Sequence, residues 1–514
     1  MVHLVQCGDY FKVMAPGSWQ DWVVFEGRDG RKRFEYTIVA PKELPLVGIA
    51  LKNEIPGTIS QSRHEGKDFV IHHWVSRDIQ RIFSEPDMPT YYNYTQRLLV
   101  STIKDWNWVS RWYWSLCEKP LGRITSEMKA KVDDLVRNKA NRDEKINAIF
   151  KFVSQEVRYL GVNTDDESEW FQPHAVNLTF ERRTGTCRDK AVLLVAMLRL
   201  ADIDAYPVLI EKGPLKDPEV STASFNHAIT GVRNDDGSYV LMDSTDESTN
   251  QLLPSYLNNM SYLVISPDGE SLRVTPLARA EENMMEIETM GRLDDAGGLT
   301  GQTILRFNGV NDNQIRDFFI KHTPQEQKQG IEGLLKNILP GAITAYEVFP
   351  KDIMDTSKTL EVHFGFTASD VTARGEHLAS FTPPRWAFQI GAVNLFFNKV
   401  GLKERRFPFK IQYACGVRET IRILLPKFLW QVASLPTFEN LDDETMSFQS
   451  QVRMEQNEIK CDLDLKVKIP EFSPRQYLAL RENLEKLESV GSKMLLFYPP
   501  SGSLLPSEGS TRDI

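Results

Sequence analysis

Cysteine is scarce in this chain and histidine nearly so, five and nine among 514 residues. The thiols Cys7, Cys117, Cys187, Cys415 and Cys461 lie far apart and form no CxxC or Cys/His spacing, which argues against a zinc site and against a disulfide framework. His72 and His73 are adjacent; in a strand they point to opposite faces, so they read as structural and not as a metal pair. No run approaches the roughly 18 apolar residues of a membrane span, and the best stretch, Ala191 to Leu198, stops at Arg199. Basic clusters are missing as well. With a net charge of −9 and no block of Lys and Arg, nucleic acid is a poor main partner, because phosphate contact needs clustered cations. The opening "MVHLVQCGDYFKVMAPG" has neither a basic n-region nor an apolar h-region and does not read as a signal peptide.

What is present is ordinary globular composition, 41% hydrophobic and 25% charged. The length predicts about three domains of roughly 100–200 residues each. Residues 1–118 read as β-rich, with "RKRFEYTIVAP" and "GKDFVIHHWV" as strands. They end in an aromatic-faced packing helix where Trp106, Val109 and Tyr113 share helical spacing. Residues 119–285 open with two amphipathic helices. One carries the stripe Met128, Val132, Leu135, Val136; the other carries Ile146, Ile149, Phe150, Val153, Val157, with Asn141 and Glu144 spaced as a capping box. Residues 286–500 are strand-like runs, read as one or two sandwich-like units. Helices interrupt them at Thr323-Pro324 with Glu326 and at Ser473-Pro474 with Gln476. The tail 501–514 has disordered composition.

The informative stretch is "RRTGTCRDKAVLLVAMLRLADIDAYPVLI", from Arg182 to Ile210. A cysteine opens a helix that is apolar nearly all round and therefore central and buried. A packing thiol is one reading, since free Cys is often buried. The other is a nucleophile, because a helix N-terminus lowers a thiol's pKa. A thiolate nucleophile also needs a base and a group to orient that base. A hairpin follows, "FNHAITGV" and "SYVLMDST" around "RNDDG". His227 lies in its first strand and Asp243 in its second. If Val232 pairs with Ser238, His227 and Asp243 stand directly opposite, with Cβ atoms about 4.5–5.5 Å apart. The order Cys187, His227, Asp243 favours chemistry over coincidence.

These segments resemble the bacterial transglutaminase-like superfamily, closest to members with a β domain of unknown function ahead of the core. "VRYLGV", "FQPHAVNLTFERR" and "LLVSTIKDWNWVSRWYWSL" resemble it too, and the likeness is strong over about residues 30–285. It extends weakly over the C-terminal β region, through "RRFPFKIQY" and "ETIRILLP". The resemblance implies an α+β fold, a papain-like Cys helix against an antiparallel sheet, flanked by β-sandwich-like domains. It puts the nucleophile at Cys187, the base at His227 and the orienting acid at Asp243. The oxyanion would be met by the Cys187 N–H and one side chain, with Tyr159 and Gln172 as candidates. Trp170 and Phe171 are candidate cleft-lining residues, and His174, beside Pro173, reads as structural. The family often has Gly-Asp-Cys where this chain has Gly185-Thr186-Cys187; Thr still suits an N-cap. Relatives usually carry a signal peptide and more of the first domain, so a truncated start, and a periplasmic or secreted protein, is the expectation.

The implied reaction is acyl transfer on peptide or carboxamide bonds through a thioacyl enzyme, with hydrolysis favoured over cross-linking. It requires no metal and no organic cofactor, and its partner is a protein or peptide substrate. The rival is a scaffold that keeps the fold with an idle thiol, its β domains binding protein or glycan.

Overall fold

The computed structural model describes residues 15, 17–161, 171–249, 251–356, 358–375, 378–397, 399–425, 431–491 and 493–498. The chain forms two compact units, residues 1–247 with 251–276, and residues 277–514 with 248–250. The stretches read from sequence as 1–118 and most of 119–285 thus share one unit.

The first strands are β1 (Gln20–Val24), β2 (Arg31–Pro41), β3 (Gly48–Lys52), β4 (Ile59–Glu65), β5 (Phe69–Ile79) and β6 (Arg97–Ser101); burial alternates along β2 and β5, whereas β6 is buried throughout. They make two antiparallel sheets, β1-β6-β3 and β2-β5-β4. Phe25, Ile38, Ala40, Trp74, Leu98 and Val100 form the core between them. His72 stacks on Trp74 with ring centroids 5.9 Å apart, while His73 turns to Glu35 on the other face at 3.4 Å.

Asp105 caps α1 (Trp106–Leu121) by accepting from the Trp108 N–H at 2.7 Å. Trp106, Val109, Tyr113 and Cys117 form its buried face. Two amphipathic helices follow, α2 (Ser126–Val136) and α3 (Arg142–Glu156). Asn141 accepts from the Glu144 N–H at 2.9 Å, and Glu144 returns one residue further back than a capping box does, to the Ala140 N–H at 3.0 Å. Then come β7 (Arg158–Tyr159), α4 (Val176–Arg182), β8 (Thr184–Gly185) and α5 (Cys187–Leu200). Every residue of α5 from Asp189 to Leu198 is buried. Burial of a Leu or Val side chain is worth about 1.5–3 kcal/mol, so α5 is the anchor of the unit.

The sheet on which α5 packs has the order β11-β10-β9-β12-β13, antiparallel throughout. Its strands are β9 (Ala205–Ile210), β10 (His227–Arg233), β11 (Tyr239–Met242), β12 (Ser261–Val264) and β13 (Arg273–Val274). Ala228, Val232, Met242, Leu209 and Leu263 join the core around α5, and Val208, Ile229, Leu241 and Val264 form a second core on the opposite face.

The hairpin forms as expected, but its register differs. Val232 pairs with Val240, not Ser238, and the ladder between β10 and β11 ends at Thr230 opposite Met242. The turn closes one residue later because the Asn234 N–H bonds the Ser238 carbonyl at 2.9 Å, with Gly237 at a φ of 79°. His227 and Asp243 are therefore not direct partners. His227 pairs on its other side with Ile210, and the Asp243 N–H leaves the ladder for the Leu252 carbonyl at 2.7 Å. The pairing has slipped by two residues, an even shift, which preserves the face on which each side chain lies.

The second unit contains β14 (Met284–Leu293), β15 (Leu299–Phe307), α6 (Val310–Lys321), α7 (Pro324–Ile338), β16 (Ile343–Lys351), β17 (Leu360–Ala368), β18 (Thr372–Arg374) and β19 (Ala379–Phe381). It continues through α8 (Ala392–Phe397), β20 (Phe409–Lys410), β21 (Cys415–Leu424), β22 (Gln431–Ser434), β23 (Leu441–Asp442) and β24 (Met446–Glu455). It ends in β25 (Glu458–Val467), β26 (Glu471–Phe472), α9 (Pro474–Gly491) and β27 (Leu495–Tyr498). An eight-stranded sheet, β16-β17-β15-β14-β21-β25-β24-β23, dominates, and only β14 and β21 pair in parallel. A four-stranded sheet, β18-β19-β27-β22, accompanies it, and one hydrophobic core runs from Met285 to Phe497. The fully buried Arg316 pairs with Asp312 at 2.8 and 2.9 Å and donates to the carbonyls of Ile353 and Lys358. The sequence tail 501–514 lies outside the described residues.

Candidate active site

Cys187 is the first residue of α5, so the free N–H groups of the helix end surround its thiol. A short parallel bridge sets up this start. Tyr159 of β7 pairs with Gly185 of β8, and the Leu160 N–H bonds the Gly185 carbonyl at 2.9 Å. Thr186 takes the N-cap. Asp189 accepts from the Thr186 N–H at 2.9 Å and from its hydroxyl at 2.7 Å. The other Asp189 oxygen takes the His174 N–H at 2.9 Å and faces the His174 Nδ1 at 3.1 Å. His174 is thus a support of the helix start. Lys190, fully buried, donates to the carbonyls of Ser154 at 3.2 Å and of Val157, tying the end of α3 to α5. Burial lowers its amine to about 8.

His227 lies at the start of β10, 5% exposed, with its Nε2 2.8 Å from Asp243 Oδ2. It also hydrogen-bonds the Cys187 thiol, for which Nδ1 is the ring nitrogen left. Asp243 is fully buried, and its other oxygen accepts from the Thr245 N–H at 2.9 Å and hydroxyl at 2.7 Å. Burial would raise this carboxyl, but the bonds from His227 and Thr245 lower it on balance. Burial alone would lower His227, yet Asp243 and Cys187 raise it to about 9. Burial would raise the Cys187 thiol; His227 and the N–H groups of Ala228 and Arg188 bring it below its ordinary value. The three side chains favour a thiolate beside an imidazolium, backed by a carboxylate, and they titrate as one coupled system.

Burial pushes the Tyr159 hydroxyl up, and it feels the charges of Cys187 and Asp243; its own N–H goes to Glu247 at 3.0 Å. Gln172 is half-buried ahead of α4. Phe171 packs on Trp112 with centroids 6.2 Å apart and belongs to the core around α5. Trp170 lies outside the described residues. The described cysteines are unpaired, and Cys117, Cys415 and Cys461 are buried. Burial raises all three, Cys415 and Cys461 to about 12. Among the described residues no group of three His, Cys, Asp or Glu is arranged to hold a metal ion, and no helix is long and apolar enough to cross a membrane.

Sequence reading missed Asp189, Lys190 and Thr245. Asp189 was readable, because Thr186 followed three residues later by an acid is a capping signature. Lys190 gives no signal, since a lysine in a helix normally reads as surface.

Residues 129–244 match the transglutaminase-like superfamily, and residues 389–497 match DUF3858, a domain of unknown function with a solved structure. A crystal structure from Parabacteroides distasonis, described as a "putative protease", is similar over 94% of this chain and 75% of its own, with a TM-score of 0.59 at 13% identity. That likeness concerns the fold. A "putative cysteine protease" from Cytophaga hutchinsonii is 13% identical, covering 50% of this chain and 88% of its own, with a TM-score of 0.21. The periplasmic domain of TgpA from Pseudomonas aeruginosa is 16% identical, covering 44% and 76%, with a TM-score of 0.20. No curated protein matches the sequence.

Proposed function

Because this chain carries a transglutaminase-like domain, that of a family of papain-like cysteine enzymes, we propose that it is a thiol acyl-transfer enzyme that hydrolyses peptide or carboxamide bonds. Cys187 is the nucleophile, His227 the base and acid, and Asp243 the group that orients His227. The observation that carries this reading is the buried chain of hydrogen bonds from Asp243 through His227 to Cys187 at a helix start. A packing thiol has no use for a paired imidazole.

The Cys187 thiolate attacks the carbonyl carbon, and the carbonyl π pair moves to oxygen. The Cys187 N–H, one of the free donors of the helix end, receives that oxyanion, with the Tyr159 hydroxyl as the second donor. The tetrahedral intermediate collapses, the C–N bond breaks, and the imidazolium of His227 gives its proton to the leaving amine. His227, now neutral, takes a proton from water, whose oxygen attacks the thioester and releases the acid and Cys187. Neither a metal nor a cofactor is called for. Water as the acceptor, in preference to an amine, is part of this proposal and accords with the description of one fold neighbour, a "putative protease".

The test is the iodoacetamide rate at Cys187 from pH 5 to 9 in the native chain and in His227→Ala and Asp243→Asn. With Cys187 lowered and His227 raised to about 9, alkylation stays fast well below the ordinary thiol range near 8.5. His227→Ala loses that acid-side rate by tenfold or more, and Asp243→Asn by a smaller factor. A native rate that follows an ordinary thiol, or ignores His227, would overturn the reading. Peptide amides offered in ¹⁸O-water with a primary amine then separate the two acceptors. Hydrolysis labels the product acid, and cross-linking yields the amine adduct instead.

A further inference from the structure

The connection from β9 to His227, Glu211 to Asn226, contains neither helix nor strand. His227 itself is paired with Ile210 in the β10–β9 ladder, but the chain leading into it has no ladder of its own and takes its course from contacts outside that sheet. The β1-β6-β3 sheet fixes that course, and each strand contributes. Arg97 of β6 grips Asp217 with bonds of 2.9 and 3.1 Å, the two side chains being 6% and 7% exposed. The Tyr92 hydroxyl adds 3.2 Å to the same carboxylate, and Lys52 of β3 stands 3.3 Å from it. The Trp106 indole N–H, where α1 begins, donates to the Pro218 carbonyl at 2.7 Å. Gln20 of β1 accepts from the Ala223 N–H at 2.5 Å and donates to Ser224 Oγ at 2.8 Å.

These grips are ordered in space as well as in sequence. Lys52 pairs with Arg97, whereas Gln20 pairs with Ser101 at the other end of β6. The connection runs along the sheet from its Arg97 end to its Ser101 end and leaves it at Ser224. Phe225 then meets the Trp106 ring edge-on, with centroids 6.2 Å apart, and His227 follows at the start of β10.

We infer that the β1-β6-β3 sheet is the template that sets His227 against Cys187, and that Arg97 and Gln20 are positioning residues for the reaction. The inference rests on the proposed thiol chemistry. It gives the N-terminal β region a part in positioning the base, beyond the contacts to protein or glycan that its sequence suggests.

The test uses the full chain carrying Arg97→Met, and separately Gln20→Ala, which removes only the grip nearest His227 and no charge. Three readouts are taken: thermal midpoint, the His227 ring titration by NMR, and the Cys187 alkylation rate at pH 6 and pH 9. Arg97→Met is expected to move the His227 titration down from about 9. It should slow alkylation tenfold or more at pH 6 and hardly at all at pH 9, where an ordinary thiol is already ionised. Gln20→Ala should change the same quantities in the same direction, by about threefold in rate. A residue that merely stabilises the fold lowers the thermal midpoint and leaves the titration alone. Folded variants with a native His227 titration and a native pH 6 rate overturn the inference while the thiol chemistry stands. A native chain whose alkylation ignores His227→Ala overturns both.

Discussion

At the scale of single residues, the start of α5 leaves little freedom. A Cβ on Gly185 would lie 2.9 Å from the Asp189 Cβ and 3.0 Å from Thr179 Cγ2. Asp189 cannot yield, because its two oxygens are committed to Thr186 and His174. Gly185→Ala is therefore expected to cost about 1–3 kcal/mol by overpacking and to slow Cys187 alkylation, measured by urea unfolding and by the alkylation assay. The thiol, the imidazole and the carboxylate could be picked out of the sequence because turn chemistry and residue order bring them to one end of a helix and a hairpin. Their supports could not, with Asp189 the exception. Lys190 satisfies its amine with carbonyls of a helix that ends more than thirty positions earlier, a long-range fact that local pattern does not contain.

At the scale of elements, helices were legible where caps and stripes agreed. In α7 the N-cap Thr323 accepts from the Glu326 N–H, Glu326 returns to the Thr323 N–H at 2.8 Å, and Pro324 takes the first helical position. Thr323→Ala removes one side of that exchange and is expected to lower the stability of the second unit by about 1 kcal/mol, read as a shift in its urea midpoint. Strand registers were less legible. The hairpin ending in Asp243 was found, yet its turn chemistry places the Asn234–Ser238 closure one residue off the expected position. The run "FKIQYACGV" has the composition of one strand but divides between β20, which pairs with β26, and β21, which pairs with β25 in the large sheet, with a bend at Gln412 and Tyr413 between them.

At the scale of the whole molecule, the long-range pairings were out of reach of sequence. β14 lies in parallel with β21, between which α6, α7, α8 and six other strands intervene. Burial against that sheet also creates a pH-sensitive contribution. Glu419 is 1% exposed, accepts the Trp386 N–H at 2.6 Å, and burial pushes its carboxyl up to about 7. A raised carboxyl stabilises the folded state fully below its ordinary value of 4.5, and that contribution is lost as pH climbs through 7. Glu419→Gln is expected to flatten the stability of the second unit between pH 5 and 7.5, measured by urea midpoints at several pH values; a slope unchanged from the native chain would contradict this.

The unequal burial of the thiols has a practical corollary. Cys117, Cys415 and Cys461 lie inside cores and are held protonated, whereas Cys187 borders a helix end beside an imidazole. Among the described cysteines, a mild alkylating reagent at pH 6 therefore discriminates by chemistry alone. On the proposed thiol chemistry, the label that Cys187 takes up in the fast phase counts correctly folded molecules in a preparation, which gives every batch an internal titrant before any substrate is known.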